Sequence, residues 1–200
     1  MLTNNSQIQE AAHMPTQQPD FDPSVLNNVH ALHETSVKPS AETEREYRDA
    51  LGRFGTGVTL ITARTEQGPI GMTVNSFASV SLDPALVLWS VAKKSGRYDA
   101  FRHASHFVIH VLAKNQLDLA MAFAKDAHSF EGNDWDINEE NIPLAKKALA
   151  RFECESSVVH DGGDHSIVIG RVKRFSQRPG APLIFNAGKF GAFLGNDTNG

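Results

Sequence analysis

Between Gly71 and Pro84 the chain reads GMTVNSFASVSLDP, with Thr73, Asn75, Ser76, Ser79 and Ser81 set among apolar residues ahead of an Asp83-Pro84 turn. Hydroxyls, a carboxamide and backbone N–H groups concentrate uncharged donors and acceptors in this short stretch. No cysteine, histidine or carboxylate lies between Thr73 and Ser81. The donor set therefore suits a planar heterocycle or a phosphate and not a metal ion. Read as a single strand over Ile70 to Leu82, the run sends Val74, Ser76 and Ala78 to one face and Thr73, Asn75, Phe77 and Ser79 to the other. A hydroxyl-rich edge strand wetted by solvent is the plainer alternative.

Two further groups stand out. Ser90-Val91-Ala92-Lys93-Lys94-Ser95-Gly96-Arg97 joins an apolar strand to a short helix. Lysines, a hydroxyl and backbone N–H groups at such a turn make a phosphate seat, with a solvated basic turn as the alternative. His160-Asp161-Gly162-Gly163-Asp164-His165 carries ligand types that a metal accepts. A Gly-Gly turn sends its flanking residues in different directions, however, and no second ligand pair lies nearby, so no metal is expected. Gly52-x-x-Gly55-x-Gly57 reverses the dinucleotide-binding spacing and follows a helix instead of a strand. With no phosphate-binding Walker loop either, and no serine–histidine–acid set in a recognisable context, nucleotide-fold and acyl-transfer chemistries lack support.

The elements that must position these groups follow from periodicity. Thr43-Glu44-Arg45-Glu46 matches a capping box, and Tyr47, Ala50, Leu51 and Phe54 form one apolar helical face closed by Gly55 and Gly57. Val58–Ala63 reads as a strand that turns through Glu66–Pro69 into the next. Leu86–Val91 is an almost unbroken apolar run, the pattern of a strand buried on both faces. A short helix over Tyr98–Ala104, a strand over His106–Leu112 and a helix over Asn115–Ala124 follow. That last helix presents Leu117, Ala120, Met121 and Ala124 on one face. Ala127–Asn141 reads as a polar surface loop. Two long strands, Ala150–His160 and His165–Phe175, flank the Gly-Gly turn, and Pro182–Phe185 is a last short strand. Strands in series with few helices predict a mainly β fold, a closed antiparallel barrel with a few flanking helices.

The 200 residues suit one domain over 41–200 behind a tail over 1–40 that is rich in Asn, Gln, Pro, His and Ser. The tail reads as disordered, though Val25, Leu26, Val29 and Leu32 have helical spacing. A net charge of −4 gives no electrostatic reason for nucleic acid or an anionic membrane as partner. No apolar run is long enough to span a bilayer, and no secretory signal opens the chain. The single cysteine, Cys154, alternates with charged residues and reads as a buried strand position in a reducing compartment. A cytoplasmic protein is expected.

Taken together, the Gly71–Pro84 run, Phe54-Gly55-Thr56-Gly57-Val58-Thr59 before it and Gly162-Gly163-Asp164-His165 after it resemble the flavin reductase family with the FMN-binding split-barrel fold. The resemblance extends from about Tyr47 to about Phe193. It implies a closed split β-barrel with Greek-key connections, and an NAD(P)H:flavin oxidoreductase that supplies reduced flavin to a two-component monooxygenase. It further implies FMN or FAD as cofactor, NADH or NADPH as hydride donor, and a homodimer. Carried onto this chain, it places Thr73, Val74, Asn75, Ser76 and Phe77 against the flavin ring and ribityl chain. Ser79 and Val80 fall toward the phosphate end, and Lys94, Ser95 and Gly96 on the phosphates, with Lys93 or Arg97 as substitutes. His165 falls at the nicotinamide, oriented by Asp164, while His160 is structural. Phe185, Asn186 and Gly188 match the closing C-terminal segment, although Asn186 stands where relatives often have tyrosine or histidine and gives no equal stacking surface. A permanently flavin-loaded electron carrier and a non-redox binding module on the same barrel are the alternatives.

Overall fold

The computed structural model describes residues 36–132 and 134–193. The chain divides into two units, 1–40 and 41–200. Of the first, Ser36–Ser40 are exposed coil, and the rest of the expected tail, with its helical spacing at Val25–Leu32, lies outside the described residues.

The second unit opens with helix α1 (Glu44–Leu51), which ends at Gly52 instead of Gly55. None of its residues is buried, so the apolar face made by Tyr47 and Leu51 and continued by Phe54 faces outward. Strands β1 (Thr56–Gly57), β2 (Thr59–Thr65), β3 (Gly68–Val74), β4 (Ala78–Leu82) and β5 (Ala85–Ala92) follow. Next come α2 (Tyr98–Arg102), β6 (His106–Val111), a 3-10 turn at Lys114–Gln116 and α3 (Leu117–Lys125). The chain then forms β7 (Trp135–Ile137), β8 (Pro143–Ala145), β9 (Ala150–Gly162), β10 (His165–Gln177), β11 (Leu183–Asn186) and β12 (Lys189–Ala192).

The protein is mainly β, with few helices, as expected. Seven strands pair antiparallel in the order β3-β2-β6-β9-β10-β5-β4, β1-β11-β12 form a second sheet, and β7 pairs with β8. Among the described residues no ladder joins β3 to β4, so the hydrogen-bonded closure expected of a barrel is not present.

The expected strand over Ile70–Leu82 is two strands, and they lie on opposite edges of the large sheet. Asn75–Phe77 make the step between them. The Ser76 hydroxyl fixes the step by donating to the Ser90 carbonyl at 3.1 Å and accepting from the Ser90 N–H at 2.9 Å. The simple alternation of faces across this run therefore fails at Asn75.

Burial on both faces belongs to β2 and β6, not to Leu86–Val91. Thr59–Ala63 and Phe107–His110 are buried without a break, whereas β5 buries Val87, Trp89 and Val91 and leaves the alternate residues half-covered. Strands β2 and β6 escaped that reading because Thr62 and His110 interrupt their apolar runs. The Thr62 hydroxyl donates to the Pro143 carbonyl at 2.8 Å, and His110 Nδ1 donates to the Leu60 carbonyl at 3.0 Å, while His110 Nε2 is buried with no hydrogen-bond partner among the described residues.

Helix α3 also turns differently from its pattern. Ala120 and Phe123 are buried, while Leu117, Met121 and Ala124 are exposed. The Phe123 ring lies against Gly71, where an added Cβ would come within 2.4 Å of it. The expected loop over Ala127–Asn141 holds β7, whose Trp135 packs edge-on to Phe123 and beside Phe130. The expected last strand has an additional partner in β12, formed because Gly188 at φ 78° closes a tight turn. Cys154 is buried, as its alternation suggested, and burial pushes its thiol up to about 12.

Candidate functional site

The end of β3 and the first residue of the step reach a cleft of about 200 Å³ lined by Val58, Thr73, Val74, Asn75, Ala124, Phe185 and Phe190. Each wall follows from the fold. Thr56 pairs with Phe185 across β1 and β11, and Phe185 pairs with Phe190 across β11 and β12 with ring centroids 5.1 Å apart. The Thr73 hydroxyl donates to the Ala120 carbonyl at 2.7 Å and so fixes α3 beside the cleft. Arg97 strengthens that joint, since its guanidinium donates to the carbonyls of Gly71 and Phe123. Partial burial lowers the pKa of Arg97, opposed by Asp126.

A second group lies where β5 meets β10. The register pairs His165 with Ala92, and the Lys93 N–H donates to the Asp164 carbonyl at 2.9 Å. The basic turn and the histidine thus share one rim. His165 Nδ1 is 2.8 Å from Asp164 Oδ1, with the histidine side chain 44% exposed. The hydrogen bond from His165 holds the Asp164 carboxyl below its usual range. Lys93 is engaged with Asp161, and that hydrogen bond likewise depresses the aspartate. Lys94 and Gly96 are exposed, and the Ser95 hydroxyl accepts from the Arg97 N–H at 3.2 Å.

The structure thus brings together Thr73, Val74, Asn75 and Phe185, and separately Lys94, Ser95, Gly96, Asp164 and His165. Other expected residues are occupied elsewhere. Ser76 pins the step, and Phe77 stacks on Phe152 with centroids 5.6 Å apart and packs on the core. Ser79 and Val80 are exposed on edge strand β4 and do not line the cleft. Asn186 faces away from it, with Nδ2 donating to the Arg53 carbonyl at 3.2 Å, and Gly188 serves the turn. His160 is exposed on β9. Among the described residues no group of three His, Cys, Asp or Glu side chains is placed to hold a metal.

Sequence reasoning missed Val58, Ala124 and Phe190 as walls. Phe190 lies two residues beyond Gly188, and its spacing from Phe185 across a Gly turn was the available signal. The cleft suits a flat, partly polar ring: aromatic and aliphatic walls exclude water, and Asn75 supplies polar groups at the margin.

Comparison with known proteins agrees with this chemistry. The "Flavin reductase like domain" family matches residues 51–193. The chain is similar to "FMN reductase (NADH) SmoA" of Agrobacterium fabrum, with 51% identity over 85% of this chain and 98% of the relative. It is 45% identical, over 73% of its length, to the reductase component of the flavin-dependent trigonelline monooxygenase of Acinetobacter baylyi, of which it covers 48%. Among solved structures, the Streptomyces globisporus NADH:FAD oxidoreductase SgcE6 in complex with NAD and FAD fragments superposes with a TM-score of 0.73. It shares 34% identity over 82% of this chain and 100% of that one.

Proposed function

The chain belongs to the flavin reductase like domain family, and on that premise we propose that it is an NAD(P)H-dependent flavin reductase delivering reduced FMN or FAD to a partner monooxygenase. The observation that carries this is the cleft in which Thr73, Val74 and Asn75 meet Phe185 and Phe190. A bound flavin supplies the hydride acceptor there. Val58, Phe185 and Phe190 exclude water, and Asn75 orients the polar edge. The N–H groups of the Ser95–Gly96 turn and the ammonium of Lys94 hold phosphate. Asp164 fixes His165 through Nδ1 and leaves Nε2 to position the nicotinamide. Ser76 and Phe77 act through the step they stabilise.

The same reading includes a split barrel whose edge strands, joined by three residues, close through side chains. It includes a homodimer formed on the outer face of β5, β9 and β10, where Val158 is exposed and its cross-strand neighbours Ile169 and Leu88 are only half-buried. It places the protein in the cytoplasm, supported by the lone, buried cysteine; no helix among the described residues is long and apolar enough to cross a membrane.

The experiment is oxidation of NADH and NADPH with FMN, FAD and riboflavin in turn, for wild type and His165→Ala. Flavin-dependent turnover is expected. The variant should lose about ten- to a hundredfold in kcat/KM, on the order of 1–3 kcal/mol, with flavin affinity and Tm unchanged. Absence of turnover with every flavin overturns the reading. A variant that loses stability and both ligands together overturns the role of His165.

A further inference from the structure

Arg97 ends the basic turn in sequence, yet its guanidinium leaves that turn for the back of the cleft. Nη1 donates to the Gly71 carbonyl at 3.2 Å and to the Phe123 carbonyl. Gly71 stands two residues before Thr73 on β3, and Phe123 one residue before Ala124 on α3. Thr73 and Ala124 both line the cleft. One nitrogen therefore holds two of its walls together from behind. The Phe123 carbonyl lies in the last turn of α3, where a helix leaves carbonyls unpaired and favours a cation. Asp126, the residue after α3, attracts the guanidinium toward the same end.

The main chain of Arg97 is tied to the other group. Its N–H donates to the Ser95 hydroxyl at 3.2 Å, and the Ser95 N–H donates to the Ala92 carbonyl at 3.0 Å. A hydroxyl that accepts in this way keeps its own hydrogen for a further acceptor. Lys93 is turned to Asp161 and Lys94 also acts on Asp164, so neither ammonium faces the turn without a counter-charge. Arg97 thus reaches the turn through its backbone and the cleft through its side chain.

We infer that Arg97 is a positioning residue for flavin reduction. It sets the spacing between the phosphate turn and the ring cleft, so that a flavin anchored at its phosphate has its ring in line for hydride transfer. Arg97 acts through Ser95, β3 and α3 and touches neither end of the flavin. The inference rests on the flavin reductase reading, phosphate turn included. A phosphate anchored at one end strengthens ring binding at the other only while the two sites keep a fixed spacing. FMN has that phosphate and riboflavin lacks it.

The test uses Arg97→Met, which removes both carbonyl bonds, and Arg97→Lys, which keeps the charge on a shorter arm. Each is titrated with FMN and riboflavin by fluorescence and assayed for NADH oxidation at saturation with either flavin, with Tm alongside. In Arg97→Met the preference for FMN over riboflavin is expected to shrink about tenfold. Its kcat is expected to fall about tenfold with both flavins, because the ring is no longer aligned. Arg97→Lys should keep the wild-type Tm and fall between, and it decides alone if Arg97→Met does not fold. An FMN preference that survives in the variants overturns the inference whatever happens to Tm, since a merely structural arginine weakens both flavins alike. A lost preference with riboflavin kcat unchanged also overturns it, because that marks direct contact with the phosphate. Wild type without any preference for FMN removes the phosphate turn and the inference with it. Wild type that binds flavin without turnover sinks the reductase reading, and the FMN preference still judges Arg97.

Discussion

The two halves of the large sheet are built from similar strands and treated very differently. On the β2–β6 half both faces are covered. Ile61, Phe107 and Ile109 point into the main core with Trp89 and Val168. Leu60 and Val58, on the other side, meet Ala120 and Phe123 of α3, Ala145 of β8 and Leu183 of β11. Val108 meets Ile142 and Leu144. On the β4–β5–β10 half the inner face is equally apolar, but nothing in the described chain covers the outer one. There Leu86, Leu88, Ile167 and Ile169 are only half-buried and Val158 is exposed. The covered half derives its stability from within the chain, and the uncovered half leaves apolar surface for an outside partner.

Phe123→Ala is the strongest way to break this contrast. It opens a cavity among Gly71, Phe130 and Trp135, and a loss of about 3–5 kcal/mol is expected in denaturant unfolding. A loss below about 1 kcal/mol would show that the outer cover of β2 and β6 contributes little.

His110 sharpens it through pH. Burial, only partly offset by the Leu60 carbonyl, lowers its pKa from 6.5 to about 4, with Arg151 and Glu153 as the nearby charges. The unfolded state therefore takes up a proton near pH 6.5 that the folded state refuses until about pH 4. Stability is complete above that window and declines as pH falls through it, by up to about 3 kcal/mol. Thermal melts from pH 7 to pH 4 should show the decline, and His110→Leu should flatten it. An equally steep decline in the variant would place the titration elsewhere.

Ile169→Asp on the uncovered half should have the smallest effect on the fold, under about 1 kcal/mol in monomer stability, because its side chain is not in the core. If the proposed homodimer forms on this face, sedimentation should report wild type as a dimer and the variant as a monomer. A dimer that survives the charge would exclude this face as the subunit contact.

The sequence carried the long β9–β10 hairpin and the burial of Cys154, because those follow from local alternation. It misassigned which strands were sandwiched. Thr62 and His110 look like solvent-facing residues until Pro143 and Leu60, distant in sequence, supply their partners. The site was legible as a set of motifs, but not in its division of labour. Nothing local shows that Ser76 is bonded to Ser90 or that Asn186 turns away to Arg53. Those facts belong to strand pairing across the sheet. The split of Ile70–Leu82 was hidden for the same reason, since β propensity runs on through Asn75–Phe77 and only the tertiary step interrupts it.

The three-residue step has a consequence for how the protein acquires its shape. Three hairpins, β2–β3, β4–β5 and β9–β10, close over short turns and need only neighbours in sequence. Joining them requires contacts such as His165 with Ala92, and the entropy of closing such long loops makes that joining the slow part of folding. Ser76 lies in the link between the first two hairpins, and His165 lies on the seam between the last two. Thr73 and Asn75 meet Phe185 and Phe190, and His165 meets Ala92, across long stretches of sequence, so neither end of the site can form before those distant segments join.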